Sequence, residues 1–142
     1  MPKAVLDSTI LVSAFLTPRG LSLELLRQAR GGAFHLCLAD EIIQETQQAL
    51  LAYPHLRKHH RYSDQEVIEF CITLKGAAHL VTDLPPLRAV SRDPKDDPVI
   101  ACAVKAQADY LVTRDKDMLS IHRYRSVRII SPEAFLKILR GT

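Results

Sequence analysis

Five short apolar runs punctuate the chain, and between them apolar residues recur at helical spacing. The runs are Ala4-Val5-Leu6, Phe34-His35-Leu36-Cys37-Leu38, Ala77 to Val81, Tyr110-Leu111-Val112 and Val127-Arg128-Ile129-Ile130. Each is of strand length. The segments between them read as helices. Ile10, Leu11, Ala14 and Phe15 form one stripe, and Leu21, Leu25, Leu26 and Ala29 form the next. A third helix runs from near Asp40 to about Ala52, with Ile42, Ile43, Ala49 and Leu50 inward. Ser63-Asp64-Gln65-Glu66 is a capping box that opens a fourth. Val99 to Ala108 is a small-residue helix, Met118 and Leu119 belong to a short one, and Ser131-Pro132-Glu133 starts the last. Thr17-Pro18-Arg19-Gly20 and Gly31-Gly32 are the breaks, and a loop rich in proline and aspartate spans Asp83 to Asp97. Strands alternating with helices imply an α/β fold. The expectation is a three-layer α/β/α sandwich with a mostly parallel sheet of four to five strands and right-handed crossovers. Architecture of this kind names no function.

The chain has 142 residues, enough for one domain with a sizeable core, and no repeat or linker divides it. Hydrophobic residues make up 47% and charged residues 25%, the balance of a soluble globular protein. No apolar run approaches the ~20 residues that span a bilayer. Met1-Pro2-Lys3 leads straight into the first strand without a signal-peptide core, so a cytoplasmic location is expected. Cys37, Cys71 and Cys102 are scattered through apolar patterns, which suits reduced core residues and no disulfide framework. A formal net charge of +3 permits an anionic partner without demonstrating one.

The chemistry lies in the acids that the pattern returns to one sheet edge. Asp7 ends the first strand, where active sites of open α/β sheets gather, and it is followed by two hydroxyl residues, Ser8 and Thr9. It reads equally as a ligand for a hard cation or as the cap of the next helix. Glu45 lies on the inward stripe of the third helix or at its margin. Asp97 precedes Pro98, which places it at the N-cap of the small-residue helix. Asp93 and Asp96 in the same loop are supporting groups or turn residues. Asp115, with Asp117 close behind, lies just past the fourth strand, after Thr113. Alone, that segment reads as a solvated charge cluster. Together these acids form a set that repels itself without a cation, and oxygen-only ligands favour Mg²⁺ or Mn²⁺.

The motifs resemble the PIN domain family, and within it the bacterial toxin components of toxin–antitoxin pairs, the VapC-type ribonucleases. The opening stretch Val5 to Ala14 resembles the family's first motif, with Ser8 and Thr9 where threonine and asparagine are usual. Arg92 to Ala101 resembles the third motif, and Asp109 to Asp117 the fourth. The resemblance covers nearly the whole chain and implies a single PIN-like domain over residues 1–142. It implies metal ligands at Asp7, Glu45, Asp97 and Asp115, supported by Thr9, Asp93, Asp96, Thr113 and Asp117. It also implies cleavage of single-stranded RNA by metal-activated water, with homodimers and an antitoxin that blocks the site.

Arg57-Lys58-His59-His60-Arg61-Tyr62 is the densest basic cluster. Arg57, Lys58 and Arg61 suit phosphate contacts and Tyr62 suits base stacking, although a solvated helix-to-helix loop explains the run equally well. Other classes fit less well. A haloacid-dehalogenase-type phosphatase needs a second Asp where Thr9 stands, and a receiver domain needs its acid on a middle strand. No Walker A, GxGxxG or HExxH occurs. The alternative that remains is a PIN-like module that binds RNA or protein without cutting.

Overall fold

The computed structural model describes residues 1–87 and 94–141. Its elements are β1 (Lys3–Leu6), α1 (Ser8–Leu16), α2 (Leu21–Arg30), β2 (His35–Leu38), α3 (Asp40–Ala52), α4 (Pro54–His59), α5 (Asp64–Ala77), β3 (His79–Leu80), α6 (Asp97–Lys105), β4 (Tyr110–Val112), α7 (Lys116–Leu119), β5 (Arg123–Tyr124), β6 (Val127–Ile130) and α8 (Pro132–Leu139). The strands lie in the order β3-β2-β1-β4-β6-β5, parallel throughout except that β5 runs antiparallel to β6.

That order dictates the layers. The chain steps outward from β1 to β2 to β3, then crosses back to β4 on the far side of β1. Right-handed crossovers in opposite directions put their helices on opposite faces. Accordingly α1 packs on α2 and α3, α3 on α5, and α2 on α8, whereas α6 lies on the sheet against β1, β2 and β4. The three-layer α/β/α expectation holds, with six strands in place of four or five. The core is dense and apolar. Phe34 meets Phe135 edge-on at 4.9 Å, and Tyr110 lies 5.5 Å from Phe135 on the other side. All three cysteines are buried and unpaired, and burial pushes the Cys102 thiol up to about 12, which leaves it inert. Among the described residues no single helix is long and apolar enough to cross a membrane.

Four local readings are corrected. The third strand, expected over 77–81, shrinks to His79–Leu80 because α5 continues to Ala77. The first half of the basic run, Arg57 to His59, falls on a short helix, α4, begun by Pro54, and only His60 to Tyr62 lie in the connection after it. A turn of 3-10 helix at Pro94–Asp96 runs directly into α6. Asp96 therefore takes the cap position with helical backbone, and Asp97 is the first helical residue. Finally, β5 was not expected at all. It folds back on β6 through Arg125-Ser126, with Arg125 at φ 53°.

Helix ends supply the punctuation. Ser63 and Glu66 close the reciprocal capping box at α5, and the Ser131 hydroxyl accepts from the Ala134 N–H at α8. At α2, Ala33 N–H bonds the Gln28 carbonyl and Gly32 N–H bonds that of Ala29, with Gly32 at φ 85°. The end of α6 repeats this pattern with Ala108 to Ala103 and Gln107 to Val104, but a glutamine holds the left-handed position at φ 55°. Nothing lies within 4 Å of a Cβ built on Gly32, so the two sites differ in backbone cost alone. Gly32→Ala should destabilise the protein and Gln107→Gly should stabilise it, each by about 0.5–1 kcal/mol, after the left-handed penalty is offset by unfolded-chain entropy. Urea titration of both variants checks the paired signs.

Candidate active site

Asp7 follows directly on β1, and its backbone N–H reaches the Val112 carbonyl of β4 at 3.2 Å. It thus sits where the β1–β4 ladder ends, at the point where the two crossover directions diverge. The side chain is 2% exposed. Its Oδ1 accepts from the Ile10 N–H at 3.2 Å and from the Thr9 hydroxyl at 2.5 Å, and its Oδ2 accepts from the Thr113 hydroxyl at 2.5 Å. The capping role read from the sequence is therefore present, and it holds the carboxylate at the sheet edge. Burial pushes the Asp7 carboxyl above its ordinary 3.8. The bonds from Thr113, Thr9 and Ile10 oppose that shift without cancelling it, and the charge of Asp115 reinforces it.

Thr113 is fully buried beyond the end of β4. While its hydroxyl donates to Asp7, the same oxygen accepts from the Asp115 N–H at 2.9 Å. Asp115 then caps α7, with Oδ1 accepting from the Asp117 N–H at 3.0 Å. One hydroxyl thereby fixes the first and fourth candidate acids relative to each other. Thr9 and Thr113 both donate to Asp7, and the Asp117 N–H donates to Asp115.

The other acids lie across the edge, at the facing ends of α3 and α6, which pack together. Asp97 is half-buried, and its Oδ1 is buried without a hydrogen-bond partner. Asp96 is the more deeply buried of the two, at 7% exposure. Glu45 is half-buried and shares with Pro98 the lining of a pocket of about 390 Å³. Glu41, one turn earlier on α3, lines a 170 Å³ pocket with Asp97. The sequence reading passed over Glu41, although its four-residue spacing from Glu45 was the available signal. Asp93 lies outside the described residues. Among those described, no three acidic, histidine or cysteine side chains close on a single point that holds a metal. The structure thus links Asp7 to Asp115 through Thr113, sets Asp97 on one pocket with Glu41, and sets Glu45 on another with Pro98. The donor set nevertheless fits a hard cation. It is all carboxylate oxygen, and it includes one buried oxygen with no partner and one buried acid resisting ionisation.

The basic cluster is tied down more than its sequence suggests. Arg57 pairs with Asp64 and lies 5.3 Å from the Tyr62 ring centre. Tyr62 donates its hydroxyl to the Leu50 carbonyl at 2.7 Å and meets Phe15 edge-on at 5.1 Å. Those contacts commit the Tyr62 ring to packing. Lys58 and Arg61 remain exposed.

Because the folded protein holds a proton on Asp7 to higher pH than the unfolded chain does, the protonated acid contributes stability below the unfolded value. That contribution is lost as pH rises through the raised native value. In EDTA, Asp7→Asn should therefore gain melting temperature on the wild type as pH rises above the ordinary carboxyl value of 3.8. Thermal melts from acid to neutral pH check the prediction, and parallel curves contradict it.

Residues 3–117 match the family model of the PIN domain. No curated protein matches the chain. Among solved structures, a chain of VapBC2 from Rickettsia felis, bound to a DNA fragment from their promoter, gives a TM-score of 0.63 at 12% identity, covering 91% of this chain and 98% of that one. PAE2754 from Pyrobaculum aerophilum gives 0.64 at 15% identity, covering 99% and 91%. Both likenesses are of fold. The motifs, the sheet order and the family match agree: the chain belongs to the PIN domain family.

Proposed function

We propose that the protein is a Mg²⁺- or Mn²⁺-dependent endoribonuclease that cuts single-stranded RNA, and that it is the toxin of a toxin–antitoxin pair. PIN domains are generally nucleases. The observation that carries the reading is the buried Asp7 carboxylate, ringed by hydroxyl and amide donors with the Asp115 charge beside it. Asp7, Asp97 and Asp115 are the ligands, with Glu45 direct or through water. A bound divalent cation supplies a water of lowered pKa and neutralises charge on the phosphate. The protein's own residues do the positioning. Thr113 and Thr9 hold both oxygens of Asp7 in fixed directions. Thr113 also fixes the turn that presents Asp115. The unpartnered Oδ1 of Asp97 is the oxygen that would join the set from the start of α6. The toxin assignment rests on the motif resemblance and on the likeness to a chain of the VapBC2 assembly. An antitoxin partner and a homodimer go with it.

Labelled single-stranded RNA should be cut in Mn²⁺ or Mg²⁺ and left intact in EDTA. Cleavage that persists in chelator, or RNA bound and never cut, contradicts the proposal, and the second outcome favours a non-catalytic RNA-binding module. Thr113→Val should lower the cleavage rate about 10- to 100-fold by freeing Asp7 and Asp115, with Thr113→Ser restoring it.

Since Arg57 is engaged with Asp64, Lys58 and Arg61 are the cations available for phosphate contacts. Neutralising each should flatten the salt dependence of RNA binding by about 0.7 in log–log slope. An unchanged slope makes them surface charges only.

A further inference from the structure

We infer that the pocket beside Glu45 is a nucleobase subsite in which Tyr53 stacks on an unpaired base of the RNA, next to the bond that is cut. The inference deepens the nuclease reading and rests on it for the identity of the occupant. Gln48 and Ala49 come three and four residues after Glu45 on α3, and Ala52 comes four and three after them, so the four form a single stripe. The stripe begins with a candidate metal ligand, passes an exposed amide and two methyl side chains, and ends at the Tyr53 ring. Pro98, the residue after Asp97, forms the facing wall. The space of about 390 Å³ is open to solvent and lies within the size range of small-ligand sites.

Tyr53 differs from the other tyrosines in its surroundings. The Tyr62 hydroxyl and ring are held by Leu50 and Phe15, Tyr110 packs on Phe135, and Tyr124 is a strand residue against β6. Tyr53 is 50% exposed at the break between α3 and α4, with the His55 ring 5.9 Å away at 39°. A large ring held at a helix junction presents a π-face at little entropy cost, and such faces stack on bases regardless of sequence. The eight residues from Glu45 to Tyr53 span roughly 12 Å of helix. That separation places the stacked base on a neighbouring nucleotide and not at the reacting phosphate. Gln48 lies between the two ends, where its amide can bond a base edge. The methyl groups of Ala49 and Ala52 leave room for a flat ring.

The chain has no tryptophan, so Tyr53→Trp introduces a single tryptophan at this wall, excited apart from the three remaining tyrosines. The probes are an unstructured RNA of about ten nucleotides and an abasic oligonucleotide of the same length and charge, titrated in EDTA. Base-bearing RNA should quench the Tyr53→Trp emission and the abasic strand should not. Tyr53→Ala should weaken binding of base-bearing RNA about 5- to 150-fold and leave abasic binding unchanged. Tyr53→Phe should keep the affinity, and Ala52→Leu, which fills the pocket without touching an acid, should reduce it. Tyr53→Ala binding like the wild type, or emission indifferent to saturating RNA, overturns the subsite. If the wild type still cleaves RNA in Mn²⁺ with that result, the nuclease reading stands and the subsite alone falls. Quenching and weakened binding in a protein that never cleaves leave the subsite standing and remove the nuclease reading. A protein that binds neither strand overturns both.

Discussion

The site depends on the Thr113 hydroxyl. It donates to Asp7 at the end of β1 and accepts from the Asp115 amide beyond β4, so one buried oxygen ties together two strand ends. A buried carboxylate is costly unless its lone pairs are met, and Asp7 receives three donors. Burial still outweighs those bonds, and the Asp7 acid is held above its ordinary value. The fold therefore keeps a carboxyl group where its charge is poorly tolerated, with a second acid adding to the strain. Such an arrangement weakens a domain unless something positive offsets it, and functional sites are where proteins accept that cost.

Topology explains why this pair forms between β1 and β4. The strand order places β4 beside β1 although more than a hundred residues separate their acids, and the reversal of crossover direction leaves a crevice between them. The same reversal sends α6 to the opposite face from α1 and α2 and brings its first turn, with Asp96 and Asp97, to the carboxyl edge. Short edge strands finish the sheet. β3 has two residues, and β5 caps the other side in antiparallel sense, so neither edge offers a long template for pairing.

Much of this was legible in the sequence because the informative signals are local. The buried strands β1, β2, β4 and β6 are apolar runs, and Asp7 and Asp115 stand at fixed offsets from two of them. What escaped lacked a local signal. The hairpin between β5 and β6 turns on Arg125-Ser126, without the glycine or asparagine that usually marks a left-handed turn. The offset at α6 arose because Pro98 was placed at the first helical position, whereas the preceding 3-10 turn moves it to the second. Tyr62 looked like a stacking residue since its neighbours in sequence are basic. Its partners, Phe15 and the Leu50 carbonyl, lie far along the chain, and no spacing rule reveals them. Glu41 went unnoticed because it is exposed on the first turn of α3, where an acid is usually only a favourable charge.

In a parallel sheet with returning helices, every helix after a strand begins at the carboxyl edge. Each start offers unpaired N–H groups and a partial positive charge, which attract carboxylates. Asp7 at α1, Asp96 and Asp97 at α6, Asp115 at α7, and Asp40 and Glu41 at α3 all occupy such positions. Capping and metal ligation are therefore not rival explanations here. Helix starts gather the acids at one edge and lower the cost of holding them there. The two acids that serve as side-chain caps, Asp7 and Asp115, also lie within electrostatic reach of each other. Asp97 differs, since it stands one position inside its helix and keeps an unpartnered buried oxygen. An acid at a helix start with an oxygen that no donor claims is the one best able to meet a cation without loosening its helix.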